Sequence, residues 1–306
     1  MPGAIHILTR FVLLFLTCAA AVAADDPDKL GQECQKKKRR ACEALVAITI
    51  TSIDSDTLTA VIGRLDNQEA LGRIAKDARV GSVRAAAVAR LSSQQVLGEI
   101  ARKDGDREVL LAALARLSDQ AAIYEVAGAT TDREVLTGVV ERLIDQLLLA
   151  AFAKAKGYRD LRVSAAVRIT DQAALADVAR NAGEPGARVA AVARLEDQAA
   201  LASIAQESGI DTVRSAAVEK LTDQAGLAQV AKAAGDPVAA VAAAAKLTDQ
   251  AFLAEVAKAS GEWRVRAAAV AKLTDPAVLA AVARDDRIEN VRAAAARRLE
   301  ELKKTR

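Results

Sequence analysis

The feature that most constrains this chain is a period of 26 residues. Leu65, Leu91, Leu117, Leu143, Ile169, Leu195, Leu221, Leu247, Leu273 and Leu299 each follow a basic residue, and every interval is 26 without an insertion. A unit that short cannot enclose a core. It buries its apolar side only by stacking on its neighbours, which makes an array rather than a globule. Nine full units span residues 65–298. A degenerate unit precedes them, because Leu45, Ile48 and Val61 fall on the columns of Leu71, Ile74 and Ala87.

Each unit reads as two short helices. With 52% hydrophobic residues and only 2% aromatic, the chain is too apolar for disorder, and its abundant Ala favours helix throughout. Asp119, Asp145, Asp171, Asp197, Asp223, Asp249 and Asp275 share one column, where a carboxylate can accept from the orphan amides of a following helix. The next column is Gln in eight units and Pro276 in the ninth. Proline is welcome at the first helical position, so helix A starts there. Gly105, Gly157, Gly183, Gly209, Gly235 and Gly261 mark its end, where a left-handed C-cap is expected. Helix B then begins behind Asp106, Asp132 and Asp236, or with Pro185 and Pro237 at its first position. Helices of about ten residues are marginal alone, so packing between units must hold them.

The helix A phrase Leu221-Thr222-Asp223-Gln224-Ala225-Gly226-Leu227-Ala228-Gln229-Val230-Ala231-Lys232 is followed in the next unit by a helix B reading Trp263-Arg264-Val265-Arg266-Ala267-Ala268-Ala269-Val270. These phrases resemble the short, bacterial-type HEAT-like repeats, with their Val-Arg-x-Ala-Ala-Val helix B. The resemblance covers residues 40–306. It implies an all-α, right-handed solenoid of about ten stacked two-helix repeats, and interaction scaffolding as the common use of the fold. Some HEAT-like proteins are enzymes, bilin lyases and a class of DNA glycosylases among them. No motif here carries either activity over, and a fold alone does not assign one.

Residues 1–24 read as an export signal. Arg10 precedes the apolar run Phe11-Val12-Leu13-Leu14-Phe15-Leu16, and Ala21-Val22-Ala23 supplies small residues for cleavage. Export leads to a periplasmic or secreted protein. Membrane attachment would need an uncleaved signal or a lipid on Cys18, and Phe15-Leu16-Thr17 is a poor lipobox. Cleavage removes His6, the one histidine, which excludes Ser-His and Cys-His nucleophile pairs and histidine zinc sites. Residues 25–64 then form an N-terminal segment with the degenerate repeat, and residues 299–306 a tail.

Two basic columns run through the array. One closes each helix B: Arg64, Arg90, Arg116, Arg142, Arg168, Arg194, Lys220, Lys246, Lys272 and Arg298. It reads either as a stripe for an acidic polysaccharide or nucleic acid, or as cations placed against helix C-termini. A net charge of +3 gives no global field towards nucleic acid, and the helix-terminus reading is preferred. The second column, Lys76, Arg102, Lys154, Arg180, Lys232, Lys258 and Arg284, includes members with an acid three residues earlier (Glu99, Asp177, Glu255), as in helix-stabilising pairs.

Function in an array is best sought where the repeat breaks. Tyr158 and Trp263 stand at the turn between helices A and B, and Tyr124 replaces a small residue of helix A. These aromatics read either as interface anchors or as rings that cover the neighbouring unit. Leu110 and Leu136 take the place of Arg84, Arg162, Arg188 and Arg214, while Ile144, Leu147 and Leu148 make one helix A start unusually apolar. These positions form either one partner-binding patch or locally larger core packing. Cys34 and Cys42 bracket Lys36-Lys37-Lys38-Arg39-Arg40. If the segment turns back they staple an N-terminal cap; in one continuous helix they would lie about 12 Å apart and stay unbridged. The expected protein is thus a non-enzymatic scaffold with a protein partner, without cofactor or metal, and with nucleic acid a disfavoured ligand.

Overall fold

A computed structural model describes residues 26–155, 157–233 and 235–304. The export signal read in residues 1–24, with His6 and Cys18, lies outside them. Among the described residues there are 21 helices and no strand, in a regular all-α repeat array. The chain divides into two compact units, one up to Leu148 and one from Leu149.

In both units the helices begin where the capping chemistry places them. Helix A of successive repeats starts at Gln68, Gln94, Gln120, Gln146, Gln172, Gln198, Gln224, Gln250 and Pro276. The preceding Asp accepts from amides two or three residues on, as Asp119 does from Ala121 N at 2.9 Å and Asp275 from Ala277 N at 2.8 Å. Asp106, Asp132 and Asp236 cap helix B in the same way. Except at Leu299, inside the last helix, the 26-spaced residue is not helical. Leu91, Leu117 and Leu195 are the extended residues that end helix B, and they are fully buried. The period therefore marks a buried hinge between units.

The expected left-handed C-cap of helix A is not formed. Helix A ends instead on an extended residue such as Asp104 (φ −83°, ψ 133°), whose N–H still reaches the Ile100 carbonyl. Among the described glycines only Gly157 has a positive φ, 143°. A Cβ at Gly105, Gly183 or Gly209 would meet nothing within 4 Å, and nothing in the structure explains glycine there.

Packing follows the repeat. Within each compact unit, helix B lies on helix A of its own repeat and on the next helix B. The Leu71/Leu97 and Val83/Val109 columns are fully buried, and each such side chain contributes about 1.5–3 kcal/mol. The many Ala residues at these seams let ten-residue helices approach closely.

The two ends depart from the pattern. The last helix runs from Glu289 to Lys304, so residues 299–304, read as a tail, continue it. At the N-terminus an additional helix, Pro27–Gln35, packs on the degenerate repeat formed by Arg39–Thr51 and Ser55–Ile62. Gly31 is required there, because a Cβ would come within 2.5 Å of Val61 Cγ1.

Candidate functional site

Most of the regular polar columns are consumed inside the stack. The cation that closes helix B donates to the end of the preceding helix B. Arg116 Nε reaches Leu91 O at 3.2 Å, Arg194 Nε reaches Ile169 O at 2.9 Å, and Arg298 Nε reaches Leu273 O at 3.1 Å. Lys220 and Lys272 do the same to Ala193 O and Ala245 O, at 2.7 and 2.6 Å. Each charge thus sits against the negative end of a neighbouring helix dipole. Only the first member, Arg64, stands nearly free, with 79% of its side chain exposed and Asp28 4.0 Å away.

The second basic column pairs differently from the sequence reading. The acids three residues earlier bind the cation of the preceding repeat: Lys76 to Glu99 at 2.7 Å, Lys154 to Asp177 and Lys232 to Glu255, while Arg102 binds Glu125 of the next repeat at 2.8 Å. The Lys76 ammonium holds the Glu99 carboxyl below its ordinary value, and Lys154 does so for Asp177. The pairs link repeats, because the next helix A lies closer to the cation's tip than its own preceding turn.

A third column joins helix A to helix B. Arg84 donates to Ala78 O at 3.0 Å and, by two nitrogens, to Asp104 at 2.7 and 3.1 Å. Arg266 repeats this with Ser260 O and Asp286, and the pair's side chains are only 5% and 6% exposed. Leu110 and Leu136 replace this arginine, and both are buried. This corrects the patch reading for these two residues. A leucine at that depth fills the space of the guanidinium stem and packs into the core, so neither contributes to a surface.

The sequence reading missed the role of the Gln column. Gln94 Oε1 accepts from Ser118 N at 2.7 Å and Ser118 Oγ at 3.1 Å, while its Nε2 donates to Arg116 O at 3.0 Å. Gln68, Gln198, Gln224 and Gln250 make the same forward contact, to the residue 24 positions on. In these repeats one side-chain amide therefore holds the turn leading into the next helix A. The signal was present in the sequence: any helix former would serve at a first helical position, yet Gln recurs there with a Ser or Thr 24 residues later.

What remains unspent is small. Ile144 and Leu147 are 70% and 75% exposed, Leu148 is half-buried beside them, and Tyr124, in the preceding helix A, is half-buried. Ile144 stands where other repeats carry the Ser or Thr hydroxyl that meets Gln, so Gln120 binds only its backbone N–H, at 2.7 Å. Leu147 takes a column that is mostly Ala. In the second compact unit Tyr158 is 41% exposed as the residue before a helix B, and Trp263 is half-buried with the Arg264 guanidinium 4.9 Å from its ring centre. Exposed apolar residues outside the sequence reading are Ile50 and Ile53 near the N-terminus, with Val167 and Val238 further on.

Cys34 and Cys42 are bridged, with their Cα atoms 4.6 Å apart. The chain turns back between them at Lys37, whose φ is +59°. A groove of about 690 Å³ opens beside Cys42, bordered by Lys37, Arg39, Glu43, Asn67 and Arg73. Among the described residues no group of three His, Cys, Asp or Glu is placed to hold a metal ion, and no helix is long and apolar enough to cross a membrane.

No family model and no curated protein matches the chain. One solved structure, described as "Computational Design of Self-Assembling Cyclic Protein Homooligomers", aligns over 95% of this chain and 92% of its own at 13% identity, with a TM-score of 0.10. A likeness that low carries no argument about fold or function.

Proposed function

We propose that this chain is an exported, non-enzymatic scaffold of HEAT-like repeats that binds another protein through the apolar break at Ile144, Leu147 and Leu148. The single observation that carries the reading is the exposure of Ile144 and Leu147, three residues apart at one helix A start, in an array whose basic and Gln columns serve its own stacking. Two large aliphatic side chains left in water gain about 1.5–3 kcal/mol each when a partner covers them, and an array can support such an exception without altering its neighbours. The 26-residue unit with its Val-Arg-x-Ala-Ala-Val helix B supports the HEAT-like assignment, and the apolar start of the sequence supports export.

The rival, an anionic polymer on the basic ladders, is weakened because those cations already donate to carbonyls and carboxylates. The test is capture from an extracytoplasmic extract, eluted in rising salt, on the wild-type chain and on Leu147→Asp. A stoichiometric protein retained at high salt by the wild type and lost from the variant is expected. Retention of anionic polymer alone, released from both at moderate salt, would overturn the reading.

A further inference from the structure

Twenty-six residues before Gln68, the Gln column holds Cys42. A half-cystine cannot make the forward contact that Gln makes elsewhere, so the turn entering the first full repeat lacks its usual partner. The structure supplies one from outside the column. Gln35, the last residue of the additional helix, accepts from Asp66 N at 2.8 Å and donates to the Asp66 carboxylate at 2.6 Å. Asp66 N is the equivalent of Ser92 N and Ser118 N, which Gln68 and Gln94 bind at 2.9 and 2.7 Å. Gln35 therefore completes the ladder. It is held in place by its neighbour Cys34, bonded to the very residue that displaced the Gln.

The two sulfurs are not equivalent. Cys34 is fully buried, whereas Cys42 is half-buried, lines the 690 Å³ groove and has Asn67 Nδ2 3.4 Å from its sulfur. Lys37 and Arg39, both exposed, line the groove together with Arg73, Glu43, Asp66 and Glu69, so an incoming thiolate meets cations and carboxylates in equal number. Lys37, a non-glycine residue in the left-handed region, is fixed there by the turn that the bridge closes.

We propose that the Cys34–Cys42 disulfide is a thiol-exchange site that locks and releases the N-terminal cap. A thiolate entering the groove forms a bond to Cys42 Sγ and breaks the Cys34–Cys42 bond. The electron pair leaves on Cys34 Sγ, which takes a proton from water. A second thiolate then attacks the sulfur of the first and breaks its bond to Cys42; the electron pair leaves on Cys42 Sγ, which takes a proton from water, so that two thiols are oxidised to one disulfide and both cysteines are reduced. With the bridge open, the helix Pro27–Gln35 is tied by Leu30, the close approach of Gly31 to Val61 and its polar contacts, and Gln35 is no longer pinned to Asp66.

The test exposes the full chain to graded reduced glutathione under native conditions, traps it by alkylation and maps the adducts by mass. Amide hydrogen exchange is followed in parallel. The expected result is a glutathione adduct on Cys42, with exchange at Asp66 rising about tenfold on opening while Ser92 and Ser118 stay unchanged. Gln35→Ala should give the same Asp66 change with the disulfide intact. The double variant Cys34→Ser, Cys42→Ser, helical by circular dichroism, should match the reduced chain. A bridge that opens only when the whole chain unfolds, an adduct on Cys34, or an Asp66 amide indifferent to reduction would each overturn the proposal.

Discussion

Arg266 and Asp286 form an ion pair whose side chains are only 5% and 6% exposed, and replacing the arginine tests how the repeats are joined. The guanidinium spans 2.7 and 3.0 Å to the carboxylate and 2.9 and 3.2 Å to the carbonyls of Ser260 and Gly261. Arg266→Leu leaves a carboxylate with 6% exposure without its guanidinium partner, aided by Ile288 N at 2.8 Å and the nearby charge of Arg287. Breaking such a pair costs about 3–5 kcal/mol, against roughly 0–1 kcal/mol for a surface pair. The chain itself shows the remedy. Leu110 occupies this column in another repeat, and the position twenty residues on is Thr130, where Asp286 stands for Arg266. Arg266→Leu with Asp286→Thr should therefore recover most of the loss, to within about 1–2 kcal/mol of the wild type.

The same pair predicts an acid dependence. Its hydrogen bond from Arg266 holds the Asp286 carboxyl below its ordinary value, outweighing burial. A depressed folded value means that this stabilisation is present above the ordinary carboxylate range and is lost as pH falls through the folded value. The single variant should lose that acid sensitivity. Urea titration with hydrogen exchange in Trp263–Val270 and Glu289–Lys304 measures both effects without assuming that the array unfolds in one step. A single variant costing under about 1 kcal/mol, or a double variant no more stable than the single, would refute the reasoning.

Other outcomes follow from the same contacts. Gln198→Ala removes the acceptor of Thr222 N at 2.8 Å and Asp223 N at 3.1 Å, and should cost about 1–2 kcal/mol with faster exchange at Thr222. Gly105→Ala and Gly209→Ala, where φ is not positive and a Cβ meets nothing, should raise stability by about 0.4–1 kcal/mol in denaturant titration. Gly157→Ala, at φ 143°, should lower it. Lys76→Ala breaks an exposed link to Glu99 and should change the urea midpoint little, with any change shrinking in high salt.

The fold was legible because its signals are local and repeated. Asp119 followed by Gln120, or Asp275 followed by Pro276, states a helix start in two residues, and nine copies in register leave no second architecture. The helix A terminus was misread at Gly105, because a glycine after a helix is consistent with a left-handed cap and the extended turn used here has no residue signature. Cross-repeat chemistry was the least legible. Glu99 lies three residues before Arg102 in sequence but bonds Lys76. Gln94 looks solvated until Ser118 is brought to it. Leu110 and Leu147 were alike as apolar breaks, and only the stack separates a residue facing the neighbouring helix from one facing water.

The proposal rests on Ile144 and Leu147 being surplus to folding, and their reversal to the repeat's own pattern measures this directly. Ile144→Thr with Leu147→Ala restores the hydroxyl that Thr222 and Thr248 give to their Gln partners at 3.1 and 3.2 Å. The account predicts a urea unfolding free energy unchanged or raised by about 0.5–1 kcal/mol. A loss of about 2 kcal/mol or more, the size of a core truncation, would show that these side chains hold the array together and leave no apolar surface for a partner.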